Sequence, residues 1–275
     1  TLLGSATVNN TTKTWTYTPT LPATAGTAYI ITARVADAAG NLGTASAPRS
    51  FVLDTTPPAT TAAITGVSDN VGILQGTVAA AGRSDDTTPT ITGTLSAPLA
   101  TGETLRVFNG STFLGTATVN GTALTWSFTP TLPLPATAGT TYAITARVAD
   151  AAGNLGPASV ARSFVLDTTP PATAAAITAV TDNSGTTTGT VAAAGRTNDT
   201  TPTITGTLGG ATAGAALAPG ETLRIFNGAS FLGNATVTVV AAGQSTWSFT
   251  PTLPATAGTT YNITARVADA AGNLG

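Results

Sequence analysis

Cysteine, histidine and methionine are all missing from this 275-residue chain. Without cysteine there is no disulfide framework, and without cysteine and histidine the usual zinc sites are excluded. Catalysis by a histidine base or a cysteine nucleophile is excluded with them. Charge is nearly as scarce: Asp, Glu, Lys and Arg make up 8% of the residues, against roughly 25% in an average soluble protein. The net charge of −2 leaves no basic surface for nucleic acid and no polybasic membrane anchor. No apolar run approaches the ~20 residues of a membrane helix. Aromatic residues are 5%, and much of the 42% hydrophobic content is alanine, so any core must be built from a few aromatic and branched side chains. No enzymatic activity is expected of such a chain.

What the chain does have is repetition. Asp-Thr-Thr-Pro-Pro-Ala occurs at Asp54–Ala59 and at Asp167–Ala172, 113 residues apart, each time after Arg-Ser-Phe-Val-Leu. Residues 1–53 match the second half of a repeat: Trp15 corresponds to Trp126 and Arg34 to Arg147. Residues 54–166 form one complete repeat, and residues 167–275 a third that lacks its last strand. The chain therefore reads as a window of a longer array. A Leu134–Pro135 insertion and two in the third repeat, around Gly209–Ala216 and Val239–Gly243, are expected at loop tips.

The apolar period within a repeat is two. Leu105 and Val107 fall on one face with Arg106 on the other. Trp126 and Phe128 fall together, as do Tyr142, Ile144, Ala146 and Val148. Asn109-Gly110 and Asn120-Gly121 mark hairpins. Threonine fills the outward positions, where its β-branching favours an extended chain. About seven strands per repeat, with turns every 8–12 residues, predict an all-β fold of tandem seven-stranded immunoglobulin-like sandwiches. A tyrosine follows a glycine turn at the start of the sixth strand (Tyr142, with Tyr29 and Tyr261 in the same place), which predicts a tyrosine corner.

The carboxylates carry the chemical signal. All twelve acidic residues lie in repeated motifs at or beside predicted strand ends. Antiparallel neighbours put alternate loops at one end. Asp54, Glu103 and Asp150 then share the leading end of the middle repeat, and Asp69, Asp85 and Asp86 its far end. Asp182 and Asp199 are the third-repeat counterparts of Asp69 and Asp86. The seam between the middle and third repeats would gather Asp69, Asp85, Asp86, Asp167, Glu221 and Asp269. One like-charged pair at 4 Å costs about 4 kcal/mol at an effective dielectric of 20. A hard divalent cation relieves such repulsion, and calcium, with 6–8 oxygen ligands, suits this donor set better than magnesium. For any single Asp, capping of a turn explains its place as well as ligation does.

Six stretches together resemble a known family: Phe164-Val-Leu-Asp-Thr-Thr-Pro-Pro-Ala, Val180-Thr-Asp-Asn-Ser-Gly, Asp86-Thr-Thr-Pro-Thr-Ile-Thr-Gly-Thr, Gly102-Glu-Thr-Leu-Arg-Val-Phe, Trp126-Ser-Phe-Thr-Pro and Ala149-Asp-Ala-Ala-Gly-Asn. They are similar to the tandem bacterial Ig-like repeats of giant surface adhesins and biofilm-associated proteins. The resemblance implies an extracellular stalk, commonly exported by type I secretion. It also implies calcium at the seams, held by Asp54, Asp69, Asp86, Asp150, Asp167 and their third-repeat counterparts. One departure stands out: Asn198 occupies the place of Asp85. The expected partners are neighbouring repeats of the same chain and other copies in a filament or matrix. A self-assembling extracellular filament, a phage fibre and a glycan-binding module are the rival readings; exposed tryptophans would favour the last.

Overall fold

The structure, a computed structural model, describes all residues except 23, 25, 133–138, 210–215, 242, 243, 255 and 257. It is all-β, as the two-residue period predicts. The leading segment forms two antiparallel pairs: β1 (Thr7–Asn9) with β2 (Thr14–Thr16), and β3 (Thr27–Ile31) with β4 (Arg49–Leu53).

The middle repeat supplies ten strand segments: β5 (Ala62–Asp69), β6 (Gly76–Thr77), β7 (Arg83–Ser84), β8 (Thr90–Leu95), β9 (Thr104–Asn109), β10 (Thr112–Thr116), β11 (Thr118–Asn120), β12 (Thr125–Phe128), β13 (Thr140–Ala149) and β14 (Arg162–Leu166). They make two five-stranded sheets, β11-β12-β8-β5-β6 and β10-β9-β13-β14-β7. The excess over the seven expected has two sources. The stretch Phe113–Val119, whose alternation reads as a single strand of the seven, is divided: β10 pairs with β9 in one sheet, β11 pairs with β12 in the other, and the buried Ala117 lies between them. The two-residue strands β6 and β7 are the other source, too short to show a period in the sequence.

The third repeat follows the same plan with β15 (Ala174–Asp182), β16 (Gly189–Thr190), β17 (Thr203–Gly209), β18 (Thr222–Asn227), β19 (Ser230–Asn234), β20 (Thr236–Ala241), β21 (Gln244–Phe249) and β22 (Ile263–Ala268). Its sheets are β16-β15-β17-β21-β20 and β19-β18-β22. Among the described residues it has no counterpart of β14 or β7. The insertion at Val239–Gly243 is a correction to the loop-tip expectation: Val239–Ala241 continue β20, because Thr-Val-Thr-Val-Val is a good strand sequence. Gly209 likewise ends β17, while 210–215 and the Leu134–Pro135 insertion lie outside the described residues.

The middle core lies between the two sheets. Val67, Ile91, Leu95 and Trp126 face Leu105, Val107, Tyr142, Ile144, Val148, Phe164 and Leu166. Along β13 every second residue from Tyr142 to Val148 is buried, as the sequence pattern requires. Trp126 is 3% exposed, donates from Nε1 to the Thr94 carbonyl at 3.2 Å, and lies over Gly93, where a Cβ would meet its ring at 2.4 Å. Glycine at that position is therefore a packing requirement. Trp247 repeats the arrangement with Thr207 and Gly206. The tyrosine corners are present: Tyr29 donates to the Pro22 carbonyl at 3.2 Å and Tyr261 to that of Pro254 at 2.9 Å. Tyr142 stacks on Phe164, and the segment upstream of it that would complete its corner falls outside the described residues.

Candidate metal centre at the seam

The antiparallel sheets put the acidic loops at the two ends. At the leading end of the middle repeat, Gly102 abuts Ala151, which sets the Glu103 loop beside the Asp150 loop; Gly220 and Ala270 do the same in the third repeat. Each glutamate caps its own turn. Glu103 accepts from the Ala100 N–H and Glu221 from the Ala218 N–H, both at 2.8 Å.

The Asp-Ala-Ala-Gly-Asn loop is a clamp built on a carboxylate. Asp150 Oδ1 accepts from the Asn154 N–H and Oδ2 from its side-chain amide, both at 2.8 Å. These donors, the Asn154 amide foremost, hold the Asp150 carboxyl below its usual range. The same amide donates to the backbone carbonyl of Asp54 at 3.0 Å. In the third repeat Asn273 bonds Asp269 at 2.8 Å and the Asp167 carbonyl at 2.7 Å. Asn154 and Asn273 thus hook the hexapeptide to the domain that follows it, a role the sequence reading missed. The available signal was an asparagine four residues after the aspartate in all three copies, Asn41, Asn154 and Asn273. The linker aspartates also form Asx turns: Asp54 accepts from the Thr56 N–H and Asp167 from the Thr169 N–H. Asp167 further accepts from Arg83 of the middle repeat at 2.8 Å, tying the linker to the domain before it. The second hexapeptide is thereby fastened on both sides.

At the far end of the middle repeat Asp69 and Asp86 are buried, and both oxygens of each accept hydrogen bonds. Asp69 accepts from the Val71 N–H at 2.9 Å and the Ser84 hydroxyl at 2.5 Å. Asp86 accepts from the N–H groups of Asn70 and Thr88 at 3.2 and 2.7 Å. Asp85, between them, is different. Its Oδ1 is buried and accepts no hydrogen bond among the described residues. Burial first, then the charges of Asp69 and of Asp269 from the next repeat, push its carboxyl up to about 6, against an opposing pull from its own N–H. Gly72, at φ +62°, passes so close that a Cβ there would fall 2.2 Å from Asp85 Oδ2. Gly272 of the third repeat packs on Leu74, where its Cβ would sit 3.3 Å from that of Leu74.

The charges of Asp69 and, across the seam, of Asp269 thus act on Asp85, while Asp86 and Asp167 are held by their own partners. Glu221 lies at the facing end of the third repeat, bonded to its own loop. Among the described residues no three carboxylates close on one point with ligand geometry. The donor set nevertheless fits a hard cation: oxygen atoms alone, net negative, with one buried carboxylate oxygen lacking a hydrogen-bond partner among the described residues. Asp182 and Asp199 rebuild the middle-repeat pattern at the far end of the third, and N–H donors from Asn183 and Thr201 hold the Asp199 carboxyl below its usual range.

No protein-family model matches the chain, and no curated relative does. Among solved structures it is similar to a tetra-tandem repeat in the extending region of a large adhesion protein, at 20% identity and a TM-score of 0.24, over 98% of this chain and 60% of that one. It is also similar to Streptomyces avermitilis α-L-rhamnosidase complexed with L-rhamnose, at 12% identity and a TM-score of 0.23, over 78% of this chain and 24% of that one. The chain thus spans less than two thirds of each of these structures. Likeness this slight carries no functional argument, which has to come from the seam itself.

Proposed function

We propose that the chain is an extender segment of a bacterial cell-surface adhesin or biofilm matrix protein, with calcium stiffening the joints between its sandwiches. The observation that carries this reading is Asp85: a carboxylate with a buried oxygen that has no hydrogen-bond partner among the described residues, under the charges of Asp69 of its own domain and Asp269 of the next. Asp69, Asp85 and Asp269 would hold the cation, with Asp86 and Asp167 at its edge. The ion would neutralise their repulsion and join two domains through shared ligands.

The metal-independent part of the joint supports the same role. Pro57-Pro58 and Pro170-Pro171 restrict the linker backbone. Asn273 and Arg83 hold the second linker from opposite sides. A cation then has a small remaining freedom to remove. Extracellular modules bind calcium at about 10⁻⁴–10⁻³ M, so the joint would be looser inside a cell than outside it. Trp126 and Trp247 are buried in the sandwiches and so do not favour a glycan-binding surface built on tryptophan, whereas Trp15, on the two-stranded β1–β2 pair, is 53% exposed and is the one tryptophan open to such a role. Small-angle scattering tests the proposal: the maximum dimension should be larger in millimolar calcium than in chelator. Superimposable profiles in the two conditions would overturn it.

A further inference from the structure

The chain holds three Asn-Gly pairs, Asn109-Gly110, Asn120-Gly121 and Asn227-Gly228, each at the end of a strand. Glycine has no side chain to shield its backbone nitrogen, so in such a pair that nitrogen can reach the asparagine Cγ. What holds the nitrogen then decides whether it reacts. In two pairs it is held. Gly110 donates to the Ala143 carbonyl at 3.1 Å, while the Ala143 N–H donates to Asn109 Oδ1 at 2.9 Å. Gly228 and Asn227 bind Asn262 in the same way, at 2.9 and 2.8 Å. Both locks need a further stretch of chain beside the hairpin: Ala143 lies in β13, and Asn262 leads into β22. The third pair has no such neighbour. Asn120 ends β11, which is the margin of its sheet and pairs with β12 alone. Asn120 and Gly121 are exposed, and the Gly121 N–H donates to nothing among the described residues. Asn120 Oδ1 accepts from the Ala123 N–H at 3.0 Å. A donor at Oδ1 is therefore common to all three pairs, and a free nucleophile belongs to one.

We propose that Asn120 is a site of spontaneous covalent modification, at which the Gly121 backbone nitrogen displaces the side-chain amide and water completes the change to aspartate or isoaspartate. The nitrogen gives its proton to solvent and bonds to Asn120 Cγ. The bond from Cγ to Nδ2 breaks, and ammonia leaves from a cyclic imide. Charge that develops on Oδ1 during the attack faces the Ala123 N–H, which stabilises it. Water then opens the imide. Cleavage at Cγ restores the ordinary main chain with an aspartate. Cleavage at the main-chain carbonyl leaves isoaspartate, with the main chain routed through Cβ and Cγ. The net reaction takes up one water and releases one ammonia, with no oxidant or reductant. Either product puts a carboxylate on β11, a strand of Thr-Val-Asn without charge. The lengthened chain of isoaspartate also disturbs the pairing of Asn120 with Thr125. Calcium takes no part in the step, so this inference does not rest on the metal reading.

Peptide mass mapping of the full chain tests it, with samples taken through a long incubation in mildly alkaline buffer. In the native protein Asn120 should deamidate roughly tenfold faster than Asn109 or Asn227, or more, since two locking hydrogen bonds must first open at each of the others. In denaturant, where no lock exists, the three should react at similar rates. Gly121→Ala should slow the step at Asn120 by a similar factor with circular dichroism unchanged, because Gly121 has no positive φ and a Cβ there meets nothing. Equal native rates at the three asparagines would overturn the proposal. So would a native Asn120 that stays intact while the denatured chain reacts, or a rate at Asn120 indifferent to Gly121→Ala.

Discussion

The far ends of the middle and third repeats are built from the same hydrogen bonds and differ in charge at one position. Ser84 donates to Asp69 at 2.5 Å, and Thr197 to Asp182 at 2.6 Å. The Asp86 N–H reaches the Ser84 hydroxyl and the Asp199 N–H that of Thr197. The Asn70 and Thr88 N–H groups find Asp86 as those of Asn183 and Thr201 find Asp199. Against this match, Asp85 is replaced by Asn198, and each lies close against a glycine, Gly72 or Gly185. The shared aspartates are thus needed to fold the loop, whatever else they do. Asp85 Oδ1 accepts nothing from that network among the described residues, so its charge is available for something else. An amide in its place can donate, accepts less well and carries no charge.

The comparison breaks most sharply at the shared caps. In chelator, Asp86→Ala and Asp199→Ala should each destabilise their own repeat by about 1–3 kcal/mol, since each strands two N–H donors. Denaturant unfolding measures both, and costs differing by more than ~1 kcal/mol would show that the two networks are not equivalent. Asp85→Asn should have the next largest effect, and of opposite sign in the two conditions. Calcium affinity at the seam should fall more than tenfold by titration calorimetry, while the metal-free protein becomes slightly more stable because a repulsive charge is gone. Undiminished calcium binding would remove Asp85 from the site.

The pH dependence of the metal-free protein sharpens the same contrast. Burial and the charges of Asp69 and Asp269 raise the Asp85 carboxyl from 3.8 to about 6 in the folded state. Its protonated form is therefore favoured by folding, and its contribution to stability is fully present below about 3.8 and lost as pH rises through about 6. The melting temperature of the middle repeat in chelator should show this loss, and Asp85→Asn should lack it. An identical slope in that variant would assign the titration elsewhere. The smallest effect is expected of Asn198→Asp, which restores the acid beside Asp182: a loss of roughly 0.5 kcal/mol in chelator. A gain there would mean that the surroundings of residue 198 already compensate a charge.

Much of the fold was legible because its period is short. Tyr142, Ile144, Ala146 and Val148 alternate without interruption, and β13 buries them all. Trp126 and Phe128 were placed together and sit on β12. The division of Phe113–Val119 between two sheets was not legible, since both halves alternate equally well and only the opposing core decides which sheet each joins. The extension of β20 was misread for a related reason: an insertion with strand-forming residues lengthens a strand rather than a loop. The leading segment shows how little local pattern says about burial. Val8 pairs with Trp15 as Val119 pairs with Trp126, yet Trp15 is 53% exposed and Trp126 is 3%.

The sequence by itself determined the all-β class, the repeat, and the confinement of negative charge to strand ends, because each of these is a property of residue order. The tertiary structure decided which carboxylates act on one another. Asp269 is far from Asp69 and Asp85 in the chain, and its charge bears on Asp85 only because two domains pack end to end. It also separated the aspartates whose oxygens are used in loop hydrogen bonds from Asp85, one of whose oxygens accepts none among the described residues. Residue identity says that a carboxylate has four lone-pair sites. How many of them the fold has already filled is fixed by neighbours that sequence order does not name.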